Sequence, residues 1–300
     1  MTFLQATALR LPCLRAIRAV VAVPILSFWL AGCAAALNAA TNSDGYQVVR
    51  DIRYMDGERG TYDLYVPDGA SGDSPVVVYI HGGSWADGSK DIYPFLGQAL
   101  ASEGVIVAIP NYRLFPEVRF PGFVEDAAKA TASVARDVRR GAHGVPGGQH
   151  GIFLMGHSAG AHIAGLLATD ERWLARQSFP VNGLSGFIGL AGPYDFLPLT
   201  EDRYRRIFPP ETLASSQPVS FVDGGEPPML LIAGDADTVV NPQNTRSLAA
   251  EARSKGVSVE EIIVPDVSHV GAITAFATVI PFQDGAIPAA TIAFIRKHAR

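Results

Sequence analysis

Ile152-Phe153-Leu154-Met155-Gly156-His157-Ser158-Ala159-Gly160-Ala161-His162 is the stretch that decides the fold. Four apolar residues run into Gly-x-Ser-x-Gly, and residues 159–168 continue with helical spacing. A buried strand that turns sharply through a serine into a helix strains the serine backbone and exposes its hydroxyl above the sheet. The small Gly156 and Gly160 let strand and helix approach at that corner. Ser158 therefore reads as a nucleophile on an α/β scaffold.

The same alternation continues on both sides of it. Residues 46–54 and 61–66 alternate apolar and polar about Asp56-Gly57-Glu58-Arg59-Gly60, which predicts an antiparallel hairpin. Residues 75–80 form a continuous β-branched run, as a strand buried on both faces requires. The pattern then predicts helix over 92–102, strand 105–109, helix 123–139, strand 152–155, helix 159–168 and strand 186–190. Strand 229–233, helix 244–255, strand 259–264 and helix 288–298 follow. Parallel neighbours need crossover connections, so the fold class is α/β: a doubly wound, mainly parallel sheet with an antiparallel N-terminal edge hairpin. One domain over residues 46–300 accounts for the chain. Residues 195–228, rich in Pro and charge and without a period, form a small cap over the strand ends.

A serine nucleophile needs a base, and the base needs an orienting carboxylate. Functional loops in such a sheet follow the C-terminal ends of strands, and the order serine, acid, histidine is the one this scaffold uses. His269 follows strand 259–264; His298, beside Lys297, reads as a solvated helix end. Asp235 and Asp237 compete for the acid role after strand 229–233. Asp237, past the turn at Gly234 with Val239 returning the chain to the core, fits a loop-tip carboxylate better, and Asp266 is too near His269 in sequence. His81-Gly82-Gly83-Ser84-Trp85 directly follows strand 75–80, where N–H groups of Gly82 and Gly83 can join that of Ala159 to receive an oxyanion.

Two other stretches carry less. Residues 144–151 are glycine-rich but lack the lysine and Ser/Thr of a phosphate loop. His143, His150, His157 and His162 match no compact zinc spacing and read as satisfied or solvated side chains. No metal or organic cofactor is called for.

At the N-terminus, Arg10, Arg15 and Arg18 precede the apolar run 19–30, and Leu30-Ala31-Gly32-Cys33 closes it. That is the order of a signal peptide over residues 1–32, too short and interrupted by Pro24 for a membrane span. Leu-Ala-Gly-Cys resembles the bacterial lipobox, which implies lipidation at Cys33, a tether over 33–45, and export across the inner membrane to a lipid-anchored place in the cell envelope. The other cysteine, Cys13, lies in the part removed, so an intrachain disulfide is excluded. The net charge of −5 becomes more negative once the three arginines leave, which argues against nucleic acid and against polybasic membrane contact.

Three blocks together resemble the α/β-hydrolase superfamily: His81-Gly82-Gly83-Ser84-Trp85, Asn111-Tyr112-Arg113-Leu114-Phe115-Pro116-Glu117, and 154–162. The likeness is to its esterase branch, which holds hormone-sensitive-lipase-like carboxylesterases, HGGxW arylformamidases and isoprenylcysteine methylesterases. It covers roughly residues 46–298. It implies an α/β-hydrolase fold, a triad of Ser158, Asp237 and His269, oxyanion donors at Gly82, Gly83 and Ala159, no cofactor, and a small-molecule carboxylic ester as substrate. Arg113 is expected to pair with a nearby carboxylate. Ser84 and Ala161 stand where many hormone-sensitive-lipase-like members have glycine, which tilts the likeness toward the formamidase and methylesterase side. An arylformamidase-type amide hydrolase is the alternative, and a non-catalytic binding protein of the same fold the third reading.

Overall fold

A computed structural model describes residue 38, residues 44–278 and residues 285–299. The expected signal peptide, Cys33 and most of the tether lie outside the described residues. Eight strands form one sheet in the order β1-β2-β4-β3-β5-β6-β7-β8. They are β1 (Tyr46–Arg53), β2 (Thr61–Pro67), β3 (Val76–Ile80), β4 (Ile106–Pro110), β5 (Ile152–His157), β6 (Leu184–Leu190), β7 (Met229–Gly234) and β8 (Val259–Val264). β1 and β2 pair antiparallel to each other, and β2 to β4; from β4 across to β8 every pairing is parallel. This is the α/β-hydrolase arrangement, with its antiparallel edge hairpin.

The inner strands are apolar throughout because both faces of the sheet are covered. Val76, Val78 and Ile80 of β3 enter one core layer, with the helices Gly122–Arg139, Ala159–Thr169 and Gln243–Ser254. Val77 and Tyr79, pointing the other way, enter the second, with the helices Pro94–Ala101 and Ala286–His298. Truncating one such buried side chain to alanine costs about 2–5 kcal/mol, so the strand ends that carry the loops are firmly held.

Helix boundaries fall within a few residues of the sequence reading. The helix expected from residue 92 starts at Pro94, preceded by a 3-10 turn over Lys90–Ile92 whose Ser89 side chain caps it. Asn38, inside the expected tether, is docked there: its Oδ1 accepts from Phe95 N–H at 3.2 Å, and its Nδ2–H donates to Asp91 O and Ile92 O at 3.3 Å. It satisfies a helix N-terminus that has no cap of its own. Residues 195–228 hold the short helix Asp202–Ile207 and the 3-10 turns Pro210–Ser215 and Pro218–Phe221. Among the described residues, no helix is long and apolar enough to cross a membrane.

Candidate active site

β5 ends at His157, and the chain reverses at Ser158 with φ 56° and ψ −125°. A residue with a Cβ pays about 1–3 kcal/mol for such a conformation. Two main-chain bonds hold it: Ser158 N–H donates to Leu190 O at 2.9 Å, and Ser158 O accepts from His162 N–H at 3.1 Å. The corner is tight. A Cβ on Gly160 would lie 2.0 Å from Ile80 O, so only glycine lets the helix start this close to β3.

β7 and β8 bring up the other two groups. His269 Nδ1–H donates to Asp237 Oδ2 at 2.7 Å, and both residues are buried. Asp237 Oδ1 accepts from the N–H groups of Val239 and Val240 at 2.8 and 2.9 Å. Burial alone would raise the Asp237 carboxyl; His269 and these two N–H groups outweigh it and hold it below the usual carboxylate range. A carboxylate only accepts, so Nδ1 carries the proton and Nε2 is the basic nitrogen. Asp235 serves elsewhere, since its Oδ1 accepts from Asp266 N–H at 2.7 Å and so joins the loops after β7 and β8. The structure thus brings Asp237 to His269 and leaves Asp235 and Asp266 away from the ring.

The loop after β3 is held by its carbonyls. His81 O accepts from Tyr112 Oη–H and Gly82 O from His81 Nδ1–H, each at 2.8 Å. Gly83 O takes the N–H groups of Ala86 and Asp87 at 3.1 and 2.8 Å, and Gly88 O takes Arg59 Nη2–H at 2.8 Å. The His81 ring stacks on Tyr112 with centroids 4.3 Å apart, and burial lowers its pKa to about 3, so it stays neutral. Among the described residues, the N–H groups of Gly83 and Ala159 reach no protein acceptor. Gly82 also stands close to the nucleophile: a Cβ there would sit 3.3 Å from Ser158 Cβ.

Several supports had no sequence signal. Arg59 belongs to the hairpin turn between β1 and β2, yet its guanidinium reaches Tyr112 O and Gly88 O at 2.6 and 2.8 Å. Composition marks that stretch as a turn and nothing more. Arg113 does meet a carboxylate, making two bonds of 2.8 Å to the fully buried Asp126. Asn111 accepts from Lys90 N–H at 2.8 Å, so the Asn-Tyr-Arg block braces the loop after β3.

Above these strand ends lies the 195–228 segment. Trp85 packs against Phe208, Tyr204, Phe196 and Phe123, with centroids 4.8 to 6.4 Å away. Its Nε1–H donates to His162 Nδ1 at 3.1 Å, and His162 Nε2–H donates to Ser216 O at 2.8 Å. Burial lowers the His162 pKa to about 4 and keeps the ring neutral, as one donor and one acceptor require. Asn244 Oδ1 accepts from Tyr194 and Asp195 N–H, fastening the start of the segment to the helix after β7.

The remaining histidines are placed singly. His150 meets Ser74 O and Pro146 O at 2.8 Å, and His143 Nε2 lies 3.7 Å from Asp137. His298 is only partly solvated: its ring packs on Phe294 with centroids 4.7 Å apart, and its Nε2 is buried without a partner among the described residues. A nucleophile, a carboxylate-held imidazole and unused N–H groups on neighbouring loops at one end of the sheet are what acyl transfer needs.

Comparison with known proteins points the same way. The BD-FAE family model matches residues 62–251. An isoprenylcysteine alpha-carbonyl methylesterase of Arabidopsis thaliana is 31% identical over 245 residues, covering 74% of this chain and 56% of its own length. A kynurenine formamidase of Salmo salar is 31% identical over 153 residues, covering 51% of this chain and 48% of its own. The chain spans about half the length of the curated relatives it matches. Among solved structures, a hyperthermophilic esterase from the archaeon Pyrobaculum calidifontis superposes with a TM-score of 0.74 at 21% identity, over 93% of this chain and 95% of that one. That likeness is one of fold.

Proposed function

The chain belongs to the BD-FAE family, and on that premise we propose that it is a serine esterase cleaving small carboxylic esters through an acyl-enzyme. Ser158 Oγ attacks the carbonyl carbon while its proton passes to His269 Nε2. Asp237 fixes the imidazole tautomer and balances the imidazolium. The oxyanion is received by the N–H groups of Gly82, Gly83 and Ala159. Collapse expels the alkoxide, which leaves as the alcohol with the proton from His269. Water then attacks the acyl carbon, gives its proton to His269, and the carboxylic acid departs as Ser158 recovers its hydrogen.

The observation that carries this reading is the 2.7 Å bond from His269 to Asp237 on the loops beside the strained Ser158. The test is Ser158→Ala on p-nitrophenyl acetate. Turnover should fall by about 10⁴-fold or more with the fold intact, and retention above roughly a tenth of the wild-type rate removes Ser158 from the mechanism. Phenyl acetate assayed beside an N-formyl arylamine ranks ester against amide, with the ester faster.

The address is part of the same proposal. The order of Arg10, Arg15 and Arg18, an apolar run and Leu30-Ala31-Gly32-Cys33 supports export, removal of residues 1–32 and a lipid anchor on Cys33.

A further inference from the structure

We propose that His157 is a positioning residue: its ring N–H holds the main-chain carbonyl of His269, so that nucleophile and base are set from one strand end. His157 is the last residue of β5, and Ser158 follows it directly. Its Nε2 lies 2.9 Å from His269 O. A carbonyl oxygen only accepts, so Nε2 carries the hydrogen. Among the described residues, no other hydrogen bond reaches the His269 main chain. The ring bond to Asp237 fixes how the imidazole is turned, and the bond from His157 fixes where its backbone stands.

The same ring touches the third part of the site. A Cβ on Gly82 would lie 3.3 Å from His157 Nδ1 and 3.0 Å from His157 O, so the side chain is wedged between the loop after β3 and the loop after β8. Its centroid is 4.7 Å from that of His269. Such closeness would be costly if both rings were charged. Burial, with the neighbouring His269 adding to it, lowers the His157 pKa to about 3. A neutral ring therefore stands beside His269 when the base takes the Ser158 proton, and Asp237 faces the imidazolium without a competing cation.

A buried histidine that merely filled space would need only its volume, and that difference is measurable. Gln and Met have nearly the same shape and reach, but only Gln offers an N–H toward His269 O. This inference rests on the esterase reading, so Ser158→Ala is run in the same p-nitrophenyl acetate assay. If Ser158→Ala stays active, the esterase reading fails; the His157 variants judge the positioning role alone. His157→Met should lower kcat about thirtyfold with KM within about twofold, as misplacing a reacting group by a fraction of an ångström does. His157→Gln should recover at least about tenfold of that loss. His157→Leu replaces the Met variant if that protein is too unstable to purify. Equal losses in the Met and Gln variants, kcat in the Met variant within about twofold of wild type, or losses that follow Tm rather than the donor, would each overturn the proposal.

Discussion

Asp237 holds His269 with one carboxylate oxygen while the N–H groups of Val239 and Val240 hold the other. The carboxylate cannot turn without losing main-chain bonds, so the imidazole has one available orientation and one tautomer. Asp237→Asn should lower kcat by about 10³- to 10⁴-fold, because an amide can present N–H to Nδ1 and reverse the tautomer. Asp235→Asn keeps an oxygen for Asp266 N–H and should cost no more than about threefold. Steady-state kinetics on a short ester give the ranking, and the opposite order would reassign the acid.

The two glycines after His81 should fail in different ways. Gly83 has φ 123°, and a Cβ there would meet Asp87 O at 2.0 Å. Gly83→Ala should lose about 1–3 kcal/mol of stability together with its turnover, since the loop must move. Gly82 has no such φ, and its Cβ would stand 3.0 Å from His157 O and 3.3 Å from Ser158 Cβ. Gly82→Ala should keep Tm within about 3 °C and still lower kcat at least about tenfold by crowding the nucleophile. Tm and kcat measured on both variants decide it; a Gly83→Ala protein as stable as wild type would contradict the loop geometry.

Stability should fall with acidification below neutral pH. Burial lowers His81, His157 and His162 to about 3, 3 and 4, against an ordinary value of 6.5. Once unfolded, each takes up a proton as the pH drops through about 6.5, while the folded rings stay neutral. The unfolded chain then binds more protons, so each histidine removes about 1.4 kcal/mol per pH unit between about pH 6 and 4. Asp237 adds to this at lower pH, since its depressed folded pKa gives stability that is present above its unfolded value and lost as the pH falls through the folded one. Tm should hold from about pH 7.5 to 6.5 and then drop, and His162→Gln should flatten the decline by about a third. A level Tm down to about pH 4.5 would show that the rings are not held neutral.

What the sequence disclosed follows a physical boundary. Strands buried on both faces announce themselves as runs such as Val76–Ile80, and loops after such runs are few, so the chain segments carrying Ser158, Asp237 and His269 could be picked out by position alone. The short helix and the 3-10 turns over 202–221 could not. They are too brief to have a period, and Trp85 and His162 hold them from elsewhere in the chain. Arg59 was invisible for a related reason: 53 residues separate it from the Tyr112 carbonyl it bonds. The Gly82-Gly83 pair shows the limit at a single atom, because such a pair says that the backbone comes close without saying how each N–H is aimed.

The lipid anchor proposed at Cys33 makes a prediction independent of the catalytic residues. Cys33→Ser should move the protein from the membrane fraction to a soluble or unprocessed form. Mass spectrometry of the mature N-terminus should find acylated Cys33; a free N-terminus further along, without acyl mass, would reject the anchor. The unanchored protein should hydrolyse a small soluble ester at the wild-type rate, because among the described residues the sheet that carries the site begins at Tyr46.

Trp85 and His162 stand 77 residues apart and share one buried hydrogen bond, with Ser216 completing the chain. Changing the tryptophan alone strands the His162 acceptor, and changing the histidine alone strands both the indole N–H and the Ser216 carbonyl, at about 1–3 kcal/mol for each group left unmet; changing both still leaves the Ser216 carbonyl without its donor. Lineages of this protein should therefore keep tryptophan and histidine at these positions together, because every way of parting with one or both leaves a buried polar group unmet.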